Sequence, residues 1–368
     1  MQFGPGVSEN AEFRLQYIQE GKPMRLRRAW IALCFAAAVA GMAYAGSTPK
    51  TALLALSKQN HTLSIIDPVS LKVVARVPVG EDPHEVTAST DGRTAYVSNY
   101  GFGAYHTLAV IDLAEQRRLP SIDLGPLRGP HGLTFVQGKV WFTAEAAKAI
   151  GRYDPATGKV DWIMGTGQNR THMIYVFPNA RRILTSNVSS GTVTILDKTE
   201  ERAGLPPGPP SGMRPASGAP GGDWNETVIP VGRGSEGFDV SPDGKEAWVA
   251  NAGDGTVSVI DLPSKRAVAT LNIDVPGANR LKFTPDGRRV LITAGPAVVV
   301  LDAATRHVVK RLTNVHGSGG IQMQPDGMRA YVACDRDGYV AVIDLNTLKM
   351  VGRIDIPGPD GLAWAAPR

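Results

Sequence analysis

Short apolar runs alternate with turn residues along most of this chain, and the clearest example is the stretch from Glu236 to Leu262. Its apolar runs FDVS and AWVA are followed by Pro-Asp-Gly and Asn-Ala-Gly-Asp-Gly, and the run VSVI is followed by an aspartate. Runs of β-branched and aromatic residues that end in such turns predict antiparallel strands joined by tight hairpins. The stretch therefore predicts three consecutive strands of one sheet.

The same pattern recurs from about residue 51 to the C-terminus, with an aspartate closing the third strand of each copy. This aspartate occurs seven times, as Asp67, Asp112, Asp154, Asp197, Asp261, Asp302 and Asp344. The successive spacings are 45, 42, 43, 64, 41 and 42 residues. Such a period, with four short strands per unit, is typical of β-propellers. We therefore predict an all-β fold, a seven-bladed β-propeller of four-stranded antiparallel blades.

The two ends of the repeat complement each other. Residues 51–80 supply three strands without an innermost one, whereas residues 360–365 have the pattern of an innermost strand with nothing after it. The C-terminal strand is therefore predicted to complete the first blade and close the ring, which removes an exposed strand edge.

The long spacing contains an insertion, residues 201–224, with six prolines and six glycines. This composition cannot form a packed core, so the segment is predicted to be a surface loop. It falls between the third and fourth strands of its blade. Antiparallel alternation then places the loop on the face opposite the starts of the innermost strands.

The second strand of several copies carries a recognisable motif. It is YVSN at 96–99, LTSN at 184–187, WVAN at 248–251 and YVAC at 331–334. Over essentially all of residues 51–365 the chain resembles the YVTN family of β-propeller repeats. The resemblance implies the fold but no single function, because members include binding and surface proteins, and related propellers serve as lactonases, lyases and redox subunits.

The N-terminal segment has the layout of a secretory signal peptide. Three arginines at 25–28 precede an apolar run at 29–40 and an Ala-Tyr-Ala motif at 43–45. Cleavage is expected after Ala45, which leaves residues 46–368 as the propeller. The apolar run is short for a membrane span, so we expect a periplasmic or secreted protein without a permanent membrane anchor. Met24 is an alternative start to Met1.

Charge and cysteine content add two expectations. The net charge is +5, of which residues 1–45 contribute +2, so the remaining chain carries only +3. This mild excess does not indicate nucleic-acid binding. After cleavage Cys334 would be the one cysteine, so an internal disulfide is not expected, and this residue is predicted to be a buried apolar side chain. The protein is expected to be a monomer.

One position near the start of each innermost strand carries the candidate chemistry. Seven-fold geometry would bring these residues around one opening of the central channel, although they are far apart in sequence. They are His84, His131, His172, Glu236, Asn279, Gly319 and Asp360. His316 lies three residues before one of these positions and is predicted to reach the same mouth.

Three interpretations of this ring stay open. His84, His131, His172 and Glu236 could bind a divalent metal, although no local pair of metal-ligand spacing occurs. The ring could instead bind a polar ligand, or the histidines could hydrogen-bond neighbouring backbone and have only a structural role. A longer loop on the same face adds Tyr100, Phe102, Tyr105 and His106 as candidate rim residues for recognition. The rings of this loop could equally pack against one another.

Two local motifs are set aside because their context is wrong. Residues 232–237 match G-x-G-x-x-G but would join strand to strand rather than strand to helix. Residues 335–338 resemble the start of a calcium loop, but Asn346 stands where that loop needs glutamate.

The sequence therefore favours an exported binding or interaction module that recognises a small polar ligand or an envelope protein at the channel mouth. One alternative is a metal-assisted hydrolase or lyase, similar to propeller lactonases, in which the ring histidines and carboxylates hold the metal. Another is a module for envelope polymers or nucleic acid, which a steep salt dependence of binding would indicate.

Overall fold

The computed structural model describes residues 47–199 and 223–367. The predicted signal peptide and most of the predicted loop 201–224 lie outside these residues. The described chain forms seven four-stranded antiparallel sheets. Their innermost strands contact one another in sequence and return to the first, so the sheets are the blades of one ring. The predicted seven-bladed propeller is confirmed.

The strands are numbered in chain order, and each blade contains one strand of each of four kinds. The innermost strands are β28 (Pro359–Ala365), β4 (Pro83–Ala88), β8 (Pro130–Val136), β12 (Thr171–Val176), β16 (Ser235–Val240), β20 (Leu281–Phe283) and β24 (Ile321–Met323). The second strands are β1 (Ala52–Ser57), β5 (Thr94–Asn99), β9 (Lys139–Ala144), β13 (Arg182–Asn187), β17 (Glu246–Asn251), β21 (Arg289–Thr293) and β25 (Arg329–Cys334). 

The two remaining strands of each blade lie further from the axis. The third strands are β2 (Thr62–Asp67), β6 (Thr107–Asp112), β10 (Ala149–Asp154), β14 (Thr192–Lys198), β18 (Thr256–Asp261), β22 (Val298–Asp302) and β26 (Tyr339–Asp344). The outermost strands are β3 (Lys72–Pro78), β7 (Arg117–Asp123), β11 (Lys159–Gly165), β15 (Trp224–Pro230), β19 (Arg266–Asn272), β23 (Val308–Leu312) and β27 (Lys349–Asp355).

The apolar cores lie between neighbouring blades. Second and third strands are buried on both faces, because each blade is covered by a blade on either side. Leu54 and Ile65 of the first blade, for example, pack in one cluster with Val97 and Ile111 of the second. The continuous apolar runs of these strands are thus explained by burial on both faces.

The C-terminal strand closes the ring as predicted. Strand β28 pairs with β1, and Leu53 lies opposite Trp364 in this ladder. Leu53 also packs with Tyr331 and Val342 of the seventh blade. The first blade is therefore built from both ends of the repeat, and its outer strands contact the last blade through a shared core.

Three smaller predictions can be compared with the described residues. The insertion falls between β14 and β15, the third and fourth strands of the fourth blade, as predicted. Trp224, predicted as the last loop residue, is instead the first residue of β15, where it pairs with Lys198. Cys334 is buried with a free thiol, and burial raises its pKa to about 11. Within residues 47–199 and 223–367, no helix has the length and apolar character to cross a membrane.

Candidate functional site at the channel mouth

The starts of the innermost strands meet at one end of the central channel. The predicted ring residue is the second residue of five of these strands, namely His84, His131, His172, Glu236 and Asp360. In the sixth and seventh blades Asn279 and Gly319 lie two residues before the shorter strands β20 and β24. All seven residues line one open cavity of about 540 Å³, hereafter the mouth cavity. The structure therefore brings the predicted ring residues together.

The other candidates divide into two groups. Tyr100 and Phe102 line the mouth cavity, whereas Tyr105, His106 and His316 do not. The His106 and His316 side chains are exposed and Tyr105 is half-buried. Each contacts a neighbouring carboxylate instead, respectively Asp123, Asp337 and Glu81. The prediction that His316 reaches the mouth is therefore wrong, because Asp337 holds its ring outside the cavity.

His172 lies buried between two carboxylates. Its Nδ1 hydrogen-bonds with Oε1 of Glu145, and its Nε2 lies 2.8 Å from Oε2 of Glu236. The Nε2 contact is an ion pair rather than an aligned hydrogen bond. Burial alone would lower the pKa of His172, but the two carboxylates outweigh burial and raise it above the usual value. The site therefore favours the protonated imidazole.

Glu236 is the centre of a charge network that crosses the channel. Besides His172, its carboxylate faces Arg280 at 3.7 Å and Arg170 at 3.8 Å. Burial would raise the pKa of Glu236, but His172 and the two arginines lower it to about 2. Arg280 also pairs with Glu85 of the second blade at 3.0 Å. With Glu145 of the third blade, which pairs with His172 and Arg170, the network connects side chains from five blades. Each buried charge has an opposite charge beside it.

A second charged group surrounds His84. The Lys58 ammonium lies 2.8 Å from Nε2 of His84, 3.3 Å from Asp360 and 3.6 Å from Asp82. Burial would raise the pKa of Asp82, but His84 and Lys58 outweigh it and lower the pKa to about 2. The Asp82 carboxylate is therefore charged at neutral pH, and both carboxylates lie beside the Lys58 cation.

His131 differs from His84 and His172 because no carboxylate of residues 47–199 and 223–367 forms an ion pair with it. Its ring is buried and packs against that of His172 at a tilt of 35°, with ring centres 3.8 Å apart. Burial, followed by the positive charge of neighbouring groups, lowers the pKa of His131 well below the usual value. Its Nδ1 has no hydrogen-bond partner among the described residues. The mouth cavity is therefore lined by one neutral imidazole with a free polar atom, set among charged pairs.

The three interpretations of the ring can now be compared with this geometry. The rings of His84 and His172 contact charged side chains rather than backbone groups, so backbone hydrogen bonding does not describe them. Among the described residues, no group of three histidine, cysteine, aspartate or glutamate side chains could hold a metal ion. One physical reason is that both nitrogens of His172 face carboxylates, while the His131 ring packs against the His172 ring at a tilt of 35°. Backbone hydrogen bonding by His84 and His172, and a metal site among the described residues, therefore do not match this arrangement.

Several residues of the site were missed because they occupy neighbouring repeat positions. The residue directly after a second strand is Lys58, Glu145 or Asp335 in three blades and Tyr100, which was predicted as a rim residue, in a fourth, and each lines the mouth cavity or contacts a residue that does. The residue after the ring position is glycine in four blades but Glu85 and Arg280 in two others. A comparison of these two repeat positions across the seven blades of the sequence would have identified the missed residues.

The repeat position two residues before the ring residue distinguishes two further residues of the site most clearly. It is glycine in five blades, and four of these have positive φ: Gly129, Gly234, Gly277 and Gly358. In the other two blades it is Asp82, with φ 43°, and Arg170, with φ 54°. This backbone region is unfavourable for residues with a Cβ atom. Asp82 and Arg170 therefore adopt, near the mouth, a backbone conformation that glycine adopts in four other blades.

Comparisons with known proteins identify the fold and nothing finer. No protein-family model matches the chain, and no curated protein matches it. A functionally unknown protein from Desulfotomaculum acetoxidans superposes with a TM-score of 0.68 at 13% identity, covering 86% of this chain and 99% of that one. A putative 6-phosphogluconolactonase from Bacteroides fragilis gives 0.65 at 13% identity, covering 87% and 99%. 

Dihydro-heme d1 dehydrogenase NirN, solved in complex with DHE, gives a TM-score of 0.58 at 16% identity, covering 86% of this chain and 75% of that one. Identities this low show a shared fold alone. The chain is thus a seven-bladed β-propeller with a charged, histidine-lined cavity at one end of its channel.

Proposed function

We propose that this propeller is a binding module that recognises a small polar ligand in the mouth cavity. We further propose that it is a YVTN-type propeller, exported to the periplasm or secreted through the signal sequence at residues 24–45, and that it acts there as a monomer. The alternating apolar runs and the YVSN and WVAN motifs support the family, and the basic, apolar and Ala-Tyr-Ala segments support export.

The observation that carries the proposal is the pair of charged residues with positive φ. A side chain in this conformation costs about 1 kcal/mol or more relative to glycine. Asp82 and Arg170 accept this cost where the corresponding residue of the other five blades is glycine. Both side chains lie in the charge networks around the mouth cavity. Backbone strain that places charge beside a cavity is characteristic of functional sites.

The charge networks also suit binding because they fix the side chains before a ligand arrives. Glu145, Glu236 and Arg280 each contact at least two partners, which restricts their rotamers. Preorganised polar groups lose less entropy on binding than mobile ones. The cavity volume of about 540 Å³ is within the range of small-molecule sites.

The proposal is tested by thermal shift with simple polar probes. The probes are acetate, glutarate, phosphate, ethanolamine, glycine betaine and glucose, each compared with sodium chloride at equal ionic strength. A ligand at one hundred times its Kd stabilises the folded state by about 2.7 kcal/mol, so binding raises Tm. We expect at least one chemical class to raise the Tm of the wild-type protein.

Matched variants separate the mouth from the rest of the surface. Arg170→Gly removes a cation with positive φ that lines the cavity, and Lys148→Gly removes an exposed cation with positive φ that does not. The shift should be lost in the first variant and kept in the second. If no probe raises Tm, or if both variants respond like the wild type, the proposal is wrong.

A further inference from the structure

The rim of the mouth cavity carries an exposed phenylalanine in an unfavourable backbone conformation. Phe102 is 88% exposed and has a φ of 50°. Burial of its ring therefore does not stabilise the fold, while its backbone costs about 1 kcal/mol or more. A large exposed aromatic side chain at the edge of a cavity is available to contact a ligand.

The loop that carries Phe102 is anchored on both sides. The Gly101 N–H donates to Oδ2 of Asp82 at 2.8 Å. The Tyr105 ring packs so closely on Gly101 that an added Cβ would lie 2.5 Å from it. Tyr100 is buried, and its hydroxyl donates to Glu145. The Phe102 ring is therefore held at the rim by a defined backbone rather than by a loose loop.

Behind Phe102 the cavity wall consists of aromatic rings. The rings of Tyr100 and Phe102 have centres 5.9 Å apart. Tyr100 lies 4.8 Å from His84 and 5.1 Å from His131, in both cases edge to face. All four residues line the mouth cavity. One side of the cavity thus offers flat, polarisable surfaces, which favour a planar aromatic ligand.

The charges of the cavity favour a negative group on that ligand. Of the carboxylates that line the cavity, Glu236 is paired with His172 and Asp360 with Lys58, whereas Asp335 is exposed and makes no ion pair among the described residues. Two arginines are less satisfied. Arg170 is 43% exposed and approaches carboxylates no closer than 3.6 Å. Arg336 lines the cavity, is exposed and makes no ion pair within residues 47–199 and 223–367. Arginine binds carboxylates strongly because its planar N–H groups match the two oxygens.

We propose, on the basis of the binding function above, that the ligand class of the mouth cavity is the aromatic carboxylates. The ring of the ligand stacks against Phe102 and Tyr100, and its carboxylate pairs with Arg170, whose partner Glu145 also accepts a hydrogen bond from Tyr100. Phe102 acts as a specificity-determining residue that selects planar over saturated ligands.

Three matched probes test the ligand class by isothermal titration calorimetry. Benzoate has both required features, cyclohexanecarboxylate lacks the flat ring, and benzylamine replaces the carboxylate with a cation. We expect benzoate to bind at least about tenfold more tightly than either of the others, since one ion pair or one ring stack contributes on the order of that factor. Equal or tighter binding of cyclohexanecarboxylate or benzylamine would overturn the proposal, as would binding of none of the three.

Variants then assign the contacts. Phe102→Ala should weaken benzoate binding about three- to tenfold, and Phe102→Leu should weaken it nearly as much because it restores apolar area without a flat ring. Val69→Ala, which truncates a side chain that is 85% exposed outside the mouth cavity, should have no effect. Unchanged benzoate affinity in Phe102→Ala would refute the assigned contact. If the polar probes of the thermal-shift panel bind at the mouth while benzoate does not, only the ligand class is wrong; if neither set binds, the binding function falls too.

Discussion

Replacing Glu236 by glutamine tests the charge network at the mouth through the pH dependence of stability. The carboxylate of Glu236 is mostly buried and contacts His172 at 2.8 Å. Burial would raise its pKa, but His172 and the arginines lower it from 4.5 to about 2. Because the folded-state pKa is depressed, the resulting stabilisation is present above the unfolded pKa and is lost as pH falls through the folded pKa.

The size of the effect follows from the shift. A change from 4.5 to about 2 corresponds to about 3 kcal/mol at neutral pH, at about 1.4 kcal/mol per unit. The same linkage leaves roughly 1.5 kcal/mol at pH 3. Glu236→Gln should therefore lower the free energy of unfolding by about 3 kcal/mol at pH 7, and this difference should shrink by about half at pH 3.

Urea denaturation of wild type and variant between pH 7 and pH 3 measures this difference directly. Glu115→Gln is the matched control, because Glu115 is an exposed carboxylate on the turn between β6 and β7. A difference between wild type and Glu236→Gln that stays constant over this pH range would show that Glu236 does not gain its stability as a charge. The charges of His172 and the arginines would then not be what stabilises the Glu236 carboxylate.

Four further predictions concern the fold and the site, each measured by urea or thermal unfolding. His131→Phe keeps an aromatic ring and removes the unpartnered Nδ1. The free energy of unfolding should therefore be unchanged or up to about 1 kcal/mol higher. A loss of more than about 1 kcal/mol would mean that Nδ1 has a hydrogen-bond partner in the folded protein. Gly132→Ala would bring a Cβ within 2.6 Å of the His172 carbonyl oxygen and should cost about 2 kcal/mol, while Gly165→Ala, which meets nothing within 4 Å, should cost less than about 0.5 kcal/mol. Arg170→Gly should leave stability within about 1 kcal/mol of wild type, because relief of the positive φ offsets two long ion pairs; a larger loss would mean that Arg170 is structural. Deletion of residues 358–368 removes β28 and should abolish cooperative folding, and unchanged melting of the truncated chain would contradict ring closure.

The fold could be predicted because each strand is specified locally and the same specification is repeated. Apolar runs such as FDVS and AWVA, with Pro-Asp-Gly and Asn-rich turns between them, fix strand and hairpin positions within a few residues. The closing aspartates, Asp67 and Asp261 among them, fix the number of blades. Ring closure followed from a missing innermost strand at one end and an additional one at the other. None of these inferences needed a distance between blades.

Only those residues of the site that occupy equivalent positions of the repeat could be predicted from the sequence. His84, His131 and His172 occupy equivalent positions, so a ring symmetry is enough to bring them together. The protonation of His172 and the neutrality of His131 depend instead on Glu145 and Glu236, whose approach is set by packing between blades. No sequence pattern gives those distances. The position of the His316 ring could not be predicted either. His316 lies three residues before a ring position in the sequence, but its ring pairs with Asp337 and does not line the cavity.

A repeat position that is glycine in most blades also indicates candidate functional residues, because a side chain at that position in one blade stands out in the sequence. Where the inner strands begin, the backbone of most blades has a left-handed residue, and glycine adopts it at no steric cost. A residue with a Cβ atom at that position has a less favourable backbone conformation than glycine. Interactions of its side chain must offset this cost. At Asp82 and Arg170 the side chains enter the charge networks of the mouth cavity, and at Phe102 the exposed ring gains nothing from the fold. Thirteen described residues other than glycine have positive φ, and of these Phe102 and Arg170 line the mouth cavity while Asp82 contacts His84, which also lines it. The fixed positions of these three side chains suit the binding proposed for the mouth.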